Sequence, residues 1–252
     1  MNLKLTKVQF LNVKIDNLTA EEALIAADNL VQQRKNAFIV TPNVDHLVLL
    51  EQNEKLRNAY SNADLTLADG MPIIWFSKFF SHPIKEKISG SDFLPKLCEL
   101  ASKKGYKMFF LGANEGVAEK AAQNLVKTFP NLQIAGHYSP PIGFENSPTE
   151  IVKIDQLLAT TKPDILAVAL GCPKQEILIN ENKDRWDIPL CLGIGASLDF
   201  AAGTMKRAPK WMSNHGLEWF YRMCQEPRRM FKRYIFRDWK FLQLLWKYRK
   251  NK

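Results

Sequence analysis

Asp69 ends an apolar run, Leu65-Thr66-Leu67-Ala68, and is followed at once by Gly70. A carboxylate at such a strand end is partly withdrawn from water, which raises its pKa toward the range useful for a general base. An Asp that merely turns the chain is the plainer reading, and by itself the residue does not choose between them. Thr41 and Asn43 flank Pro42 at the end of a neighbouring apolar run and offer a hydroxyl and an amide, either to a substrate or to an Asx-type turn. Gly171-Cys172-Pro173-Lys174-Gln175-Glu176 follows another apolar run and places three polar side chains, Lys174, Gln175 and Glu176, where a helix should begin. In Gly193-Ile194-Gly195-Ala196-Ser197-Leu198-Asp199, Gly195 lets backbone approach a ligand and Asp199 can accept sugar hydroxyls. Gly112-Ala113-Asn114, with Gly116, could set backbone N–H groups and a helix N-terminus against a diphosphate. The full GxGxxG and GxxxxGK[ST] patterns are absent, so a plain strand-to-helix turn is an equal reading.

Alternating strands and helices must position these groups. Apolar runs at 37–40, 65–68, 107–111, 132–138, 164–170 and 190–194 read as strands, and 45–63, 93–104, 117–126, 150–160 and a polar stretch after Pro173 read as helices. Strands alternating with helices of this length predict a parallel sheet covered on both faces. Ligands of such sheets bind outside the carboxyl ends of the strands, where all the polar and glycine-rich blocks fall.

Charge divides the chain. Residues 206–252 carry fourteen Lys or Arg against three acids, a net +11, whereas residues 1–205 carry 21 bases and 23 acids, a net −2. The same 47 residues hold 11 of the 27 aromatic side chains and four of the six Trp. The boundary at 205/206 therefore separates a near-neutral body from a basic, aromatic tail. Four scattered Cys without CxxC spacing argue against disulfides or a zinc site. No D-x-D occurs, and that motif is a common way to hold a divalent cation against a nucleotide-sugar, so neither metal nor cofactor is expected. No secretory leader or spanning segment is visible, which predicts a cytoplasmic protein. The tail's aromatic and basic residues bring nucleic acid to mind, but no RNA-binding signature accompanies them.

In order along the chain stand Thr41-Pro42-Asn43-Val44-Asp45, Ala68-Asp69-Gly70-Met71-Pro72, Ser89-Gly90-Ser91-Asp92, Phe110-Leu111-Gly112-Ala113, Gly171–Glu176, Gly193–Ala196 with Asp199, and Lys206-Arg207-Ala208-Pro209 leading to Gly216-Leu217-Glu218-Trp219. This series resembles the WecG/TagA/CpsF family of bacterial glycosyltransferases from about Lys35 to Tyr234. The resemblance implies a Rossmann-like catalytic domain with a helical C-terminal appendage. It also implies metal-independent, inverting transfer of an N-acetylmannosamine-type sugar from a UDP donor to an undecaprenyl-diphosphate-linked GlcNAc at the inner face of the membrane, as in teichoic acid linkage-unit synthesis. Asp69 then falls at the family's general-base position, and Thr41 and Asn43 in its pocket motif. Lys87 stands where some relatives carry Arg, a departure for a diphosphate contact because Lys offers no bidentate fork. Gln175 and the 193–199 loop fall where the nucleotide-sugar would lie.

A metal-free mechanism must meet the departing diphosphate with cations, and the body supplies few. Arg222, Arg228, Arg229 and Arg233 of the tail are candidates to fold over the pocket, with Pro227 breaking or restarting their helix. Beyond them, Phe231, Tyr234, Ile235, Trp239, Leu242, Leu245 and Trp246 recur at helical spacing among bases. Such a helix suits an anionic membrane surface, with packing on the body or a homo-oligomer interface as its other uses. Another UDP-sugar donor for a capsule or exopolysaccharide, or a non-catalytic nucleotide-sugar-binding scaffold, are the competing functions.

Overall fold

The computed structural model describes residues 6–80, 83–227 and 239–249. In chain order the elements are β1 (Lys7–Phe10), β2 (Val13–Asp16), α1 (Ala20–Gln33), β3 (Ala37–Val40), α2 (Val44–Leu50), α3 (Glu54–Ser61), β4 (Leu65–Thr66), α4 (Met71–Ser77) and α5 (Gly90–Lys104). They continue as β5 (Lys107–Gly112), α6 (Val117–Thr128), β6 (Gln133–Tyr138), α7 (Pro148–Thr161), β7 (Ile165–Ala169), α8 (Lys174–Trp186), β8 (Leu190–Gly193) and α9 (Ser197–Ala202). The tail contributes α10 (Lys210–Asn214), α11 (Glu218–Gln225) and α12 (Lys240–Tyr248).

The sheet is parallel as expected, in the order β4-β3-β8-β7-β5-β6, with Ile39 beside both Leu65 and Leu192, and Leu166 beside both Cys191 and Phe109. Its strands are apolar throughout because both faces are covered. One face carries α1, α5, α6 and α9 through Ala23, Leu97, Ala121 and Leu198; the other carries α2, α3, α7 and α8 through Leu47, Leu56, Leu158 and Ile179. The helix after β8 thus lies on one face, while those after its neighbours β3 and β7 lie on the other. Chains that part to opposite faces leave a crevice at the strand ends, and here it opens around β8.

Three local departures from the sequence reading surround the site. The stretch 45–63 forms two helices, because Asn53 takes extended dihedrals and its side chain accepts from the Leu56 N–H, starting α3 afresh. Strand β4 spans only two residues, yet Leu67 donates its N–H to Val40 and Asp69 to Pro42, both at 2.9 Å, so the pairing carries Asp69 to the crevice. Behind β4 lies an N-terminal hairpin, β1 with β2, that the sequence reading does not contain. Its buried Asp16 accepts from the Thr66 N–H at 2.9 Å and pairs with Lys7 at 3.7 Å.

The tail is not detached from the body. Phe241 and Leu244 of α12 are buried in the same apolar cluster as Leu47 and Ile73, and Lys247 and Tyr248 both bond to Glu51. Gly216 holds a positive φ of 69°, and a Cβ there would stand 2.2 Å from the Trp75 ring. Only glycine admits that approach, which seats the turn before α11 on α4.

Candidate active site

A cleft of about 780 Å³ opens at the carboxyl ends of β4, β3, β8 and β7. Thr41, Asn43, Asp69, Lys87, Gly171, Gln175, Gly195 and Arg222 all line it. Thr41 is buried, and Asn43 caps α2 by accepting from the His46 N–H at 3.3 Å, so the Asx reading describes its local role. Lys174 is turned to Glu145 in an ion pair and stands outside the lining. Gly112, Ala113 and Asn114 also stand outside it, one strand beyond the crevice at the end of β5. The carbonyls of Gly112 and Asn114 accept from the Ser139 hydroxyl, and a Cβ on Gly112 would stand 2.5 Å from the Ala169 carbonyl oxygen. That turn therefore owes its glycine to packing against β7. Asp199, in the first turn of α9, is likewise outside the lining. Arg228, Arg229 and Arg233 fall outside the described residues, although α11 does end at Gln225, before Pro227.

Asp69 is partly open to the cleft, and its carboxyl is pushed up to about 7. Burial is the main cause; the charges of Glu218 and Asp92 add to it, and Lys87 and Arg222 oppose it. Burial alone would lower the Lys87 ammonium, but Asp92 at 3.0 Å, Glu218 at 3.9 Å and the charge of Asp69 together raise it, so it remains a cation. Asp92 also pairs with Arg207 at 3.0 Å. Arg207 and Arg222 lie over the same Phe200 ring, at 5.6 and 5.7 Å. The site thus holds a carboxylate poised to accept a proton among cations that suit phosphate oxygens. Glu218 and Asp92 both stood in quoted motifs, but their control over Lys87 depends on distances that spacing does not reveal.

Gln175 works as a brace. Its Oε1 accepts from the Gly171 and Gly195 N–H groups, each at 3.1 Å, and its Nε2 donates to Glu176 at 2.8 Å. Gly193 has no side chain in the way; a Cβ there would be 2.6 Å from Gln175 Nε2. One amide therefore ties the loops after β7 and β8 together. Replacing it by Leu strands two partly buried N–H donors and the buried Glu176 oxygen, so Gln175→Leu should lower stability by about 1–3 kcal/mol, read from urea-unfolding midpoints.

Glu176 is wholly buried beneath this brace, and burial pushes its carboxyl up to about 7 against hydrogen bonds from Gln175 and Cys172. Donor atoms of His46, Cys172 and Glu176 lie within 4.8 Å of one another, the group among the described residues that could hold a metal ion. Its nitrogen, sulfur and oxygen donors would suit a soft divalent ion. His46 Nδ1 is already hydrogen-bonded to the Tyr60 hydroxyl at 2.7 Å, and Glu176 Oε1 to Gln175.

The model of the glycosyl transferase WecG/TagA/CpsF family matches residues 8–252. The chain belongs to this family. Within it, the chain is 33% identical over 199 residues to the N-acetylglucosaminyldiphosphoundecaprenol N-acetyl-beta-D-mannosaminyltransferase of Bacillus spizizenii, covering 79% of this chain and 75% of that one. The Bacillus subtilis enzyme of the same name is 30% identical at the same coverage. The Staphylococcus aureus enzyme is 30% identical over 227 residues, 89% of this chain and 87% of its own. The WecG/TagA/CpsF match takes in the tail as well as the sheet, and the chain is a glycosyltransferase.

Proposed function

We propose that this glycosyltransferase moves an N-acetylmannosamine-type sugar from a UDP donor, with inversion, to GlcNAc-diphospho-undecaprenol. The activity for which its relatives are named supports the sugar and the acceptor. One observation of this chain carries the reading: the Asp69 carboxyl, at about 7, shares the cleft with Lys87 and Arg222. Asp69 takes the proton of the acceptor hydroxyl as its oxygen bonds to the anomeric carbon. The bond from that carbon to the UDP oxygen breaks, and both electrons leave with UDP. Lys87 and Arg222 meet the charge that grows on the departing diphosphate. A panel of UDP-sugars against a short-chain GlcNAc-diphosphate lipid tests it, with product mass and anomeric configuration as readouts. UDP-N-acetylmannosamine should give the single-sugar adduct with inverted configuration; transfer from another UDP-sugar alone would reassign the donor, and no UDP release would remove the activity.

The acceptor's lipid places the reaction at a bilayer. No helix among the described residues is long and apolar enough to cross a membrane. The outer side of α12 and its cap instead leave Trp239, Leu242 and Trp246 exposed, with Arg249 over the Trp246 ring. This arrangement supports peripheral docking on an anionic leaflet at the inner face of the cell membrane. Leu242→Ser with Trp246→Ser should reduce co-sedimentation with phosphatidylglycerol vesicles, and high salt should weaken wild-type binding. Equal binding by the variant would assign docking elsewhere.

A further inference from the structure

The cleft has two kinds of lining. Asp69, Lys87, Glu218 and Arg222 are charged, whereas Met71 and Phe76 of α4 and Phe241 of α12 supply apolar surface. The Phe76 and Phe241 rings meet edge to face at 5.5 Å, closing a seam between the two helices. Helix α4 starts two residues after Asp69, so at 1.5 Å per residue Phe76 stands about 7.5 Å along the axis from Met71. The apolar surface continues outward through Trp75 of α4 and Phe79 in the turn after it, 41% and 69% exposed, the Phe79 ring 6.3 Å from that of Phe76.

A donor nucleotide-sugar has no hydrocarbon to lay on such a wall, whereas a polyprenyl-diphosphate acceptor has one beginning immediately after its phosphates. We propose that the α4–α12 seam, built on Phe76 and Phe241, binds the first isoprenoid units of the acceptor; this rests on the transfer reading above. With the acceptor hydroxyl at Asp69, the chain leaves along α4 toward Trp75 and Phe79. It exchanges water for apolar surface at each carbon, and that gain makes chain length a determinant of acceptor affinity. The seam is continuous with the catalytic cleft, and this continuity favours a substrate's chain over a protein partner as its occupant.

The experiment is UDP release from UDP-N-acetylmannosamine by the full-length protein without detergent. The acceptors are GlcNAc-diphosphate lipids with a single-isoprene, a geranyl or a farnesyl tail, each below its aggregation limit. In the wild type, kcat/KM should rise at least about tenfold from the single-isoprene to the farnesyl acceptor. Phe76→Ser should bring that ratio close to one. Because Phe76 also packs on Phe241, Phe79→Ser, a change at an exposed position, is the second variant, and it should lower the farnesyl rate relative to the geranyl. A ratio unchanged in both variants overturns the proposal while leaving the transfer reading standing; so does a donor KM raised equally at every acceptor length, which would give the wall to the uracil base. Chain-length dependence kept intact while the variants dissociate a dimer by light scattering would give the face to a second copy, and also overturns it. A wild type inactive on every acceptor defeats both readings at once.

Discussion

Asp69→Asn should lose about 10²–10⁴-fold in kcat while gaining stability near neutral pH. The two effects have one origin. The wild-type carboxyl ionises only near pH 7 because burial and the neighbouring charges of Glu218 and Asp92 oppose its charge. Between the ordinary carboxylate value and about 7 the folded protein holds a proton that the unfolded chain has released, so stability falls as pH rises through that window. The cost is fully present above pH 7 and absent below the ordinary value. It amounts to at most about 4 kcal/mol, and less because the group meets water in the cleft. Asn carries no such cost, so the variant's Tm should exceed the wild type's at pH 8, with the difference closing as pH falls toward 4. Wild-type kcat/KM should fall tenfold per pH unit below about 7, and the variant's residual rate should be flat there. A wild-type-like rate of UDP release by Asp69→Asn would take the base role away from this residue.

Arg222→Ala should lose about 10²–10³-fold in kcat, and the pH profile separates the two ways in which it does so. Arg222 is one of the cations that hold the Asp69 carboxyl down. Its removal raises that pKa further, moving the acid limb of the profile to higher pH. Part of the loss at pH 7 is therefore a protonated base, and this part is recovered at pH 9. What persists at pH 9 is the uncompensated charge on the leaving diphosphate. Arg222→Lys should restore the limb almost fully and the plateau only in part, since an ammonium supplies the charge without the planar fork. A variant whose plateau at high pH equals the wild type's would confine Arg222 to tuning Asp69. Lys87 cannot substitute for it, because Asp92 and Glu218 already share its charge.

The parallel sheet and the family were legible because they rest on period and order. Apolar runs such as Ala37–Val40 and Leu190–Gly193 are buried on both faces and show it in every residue. The N-terminal hairpin was not legible: Val8, Phe10, Val13 and Ile15 are buried, but only four residues stand in each strand, too few to declare a period. Asp69 stands out by its strand-end position, and burial there raises its pKa; the further rise from Glu218 comes from a residue remote in sequence, two positions after the Gly216 that lets the chain settle on Trp75. Gly112–Asn114 read as well as Gly171–Glu176 in sequence, since both follow apolar strands. Strand order separates them, and order is set by crossovers that no local pattern encodes. Gln175 falls in a motif of the nucleotide-sugar pocket and does line the cleft, but its hydrogen bonds to two loop N–H groups, which make it the tie between those loops, have no sequence signal.

The burial of Phe241 and Leu244 against α2 gives the tail a different standing from that of an interchangeable anchor. A chimera that grafted a relative's C-terminal segment at residue 205 would bring aromatic side chains shaped for another α2 and α4, and would leave this chain's own Phe76 and Leu47 without their partners. Productive exchange has to carry the facing surfaces of α2 and α4 along with the tail. A truncation at the same point opens the core as well as removing the exposed outer side of α12, so point changes on that side test the proposed docking where deletion reports folding.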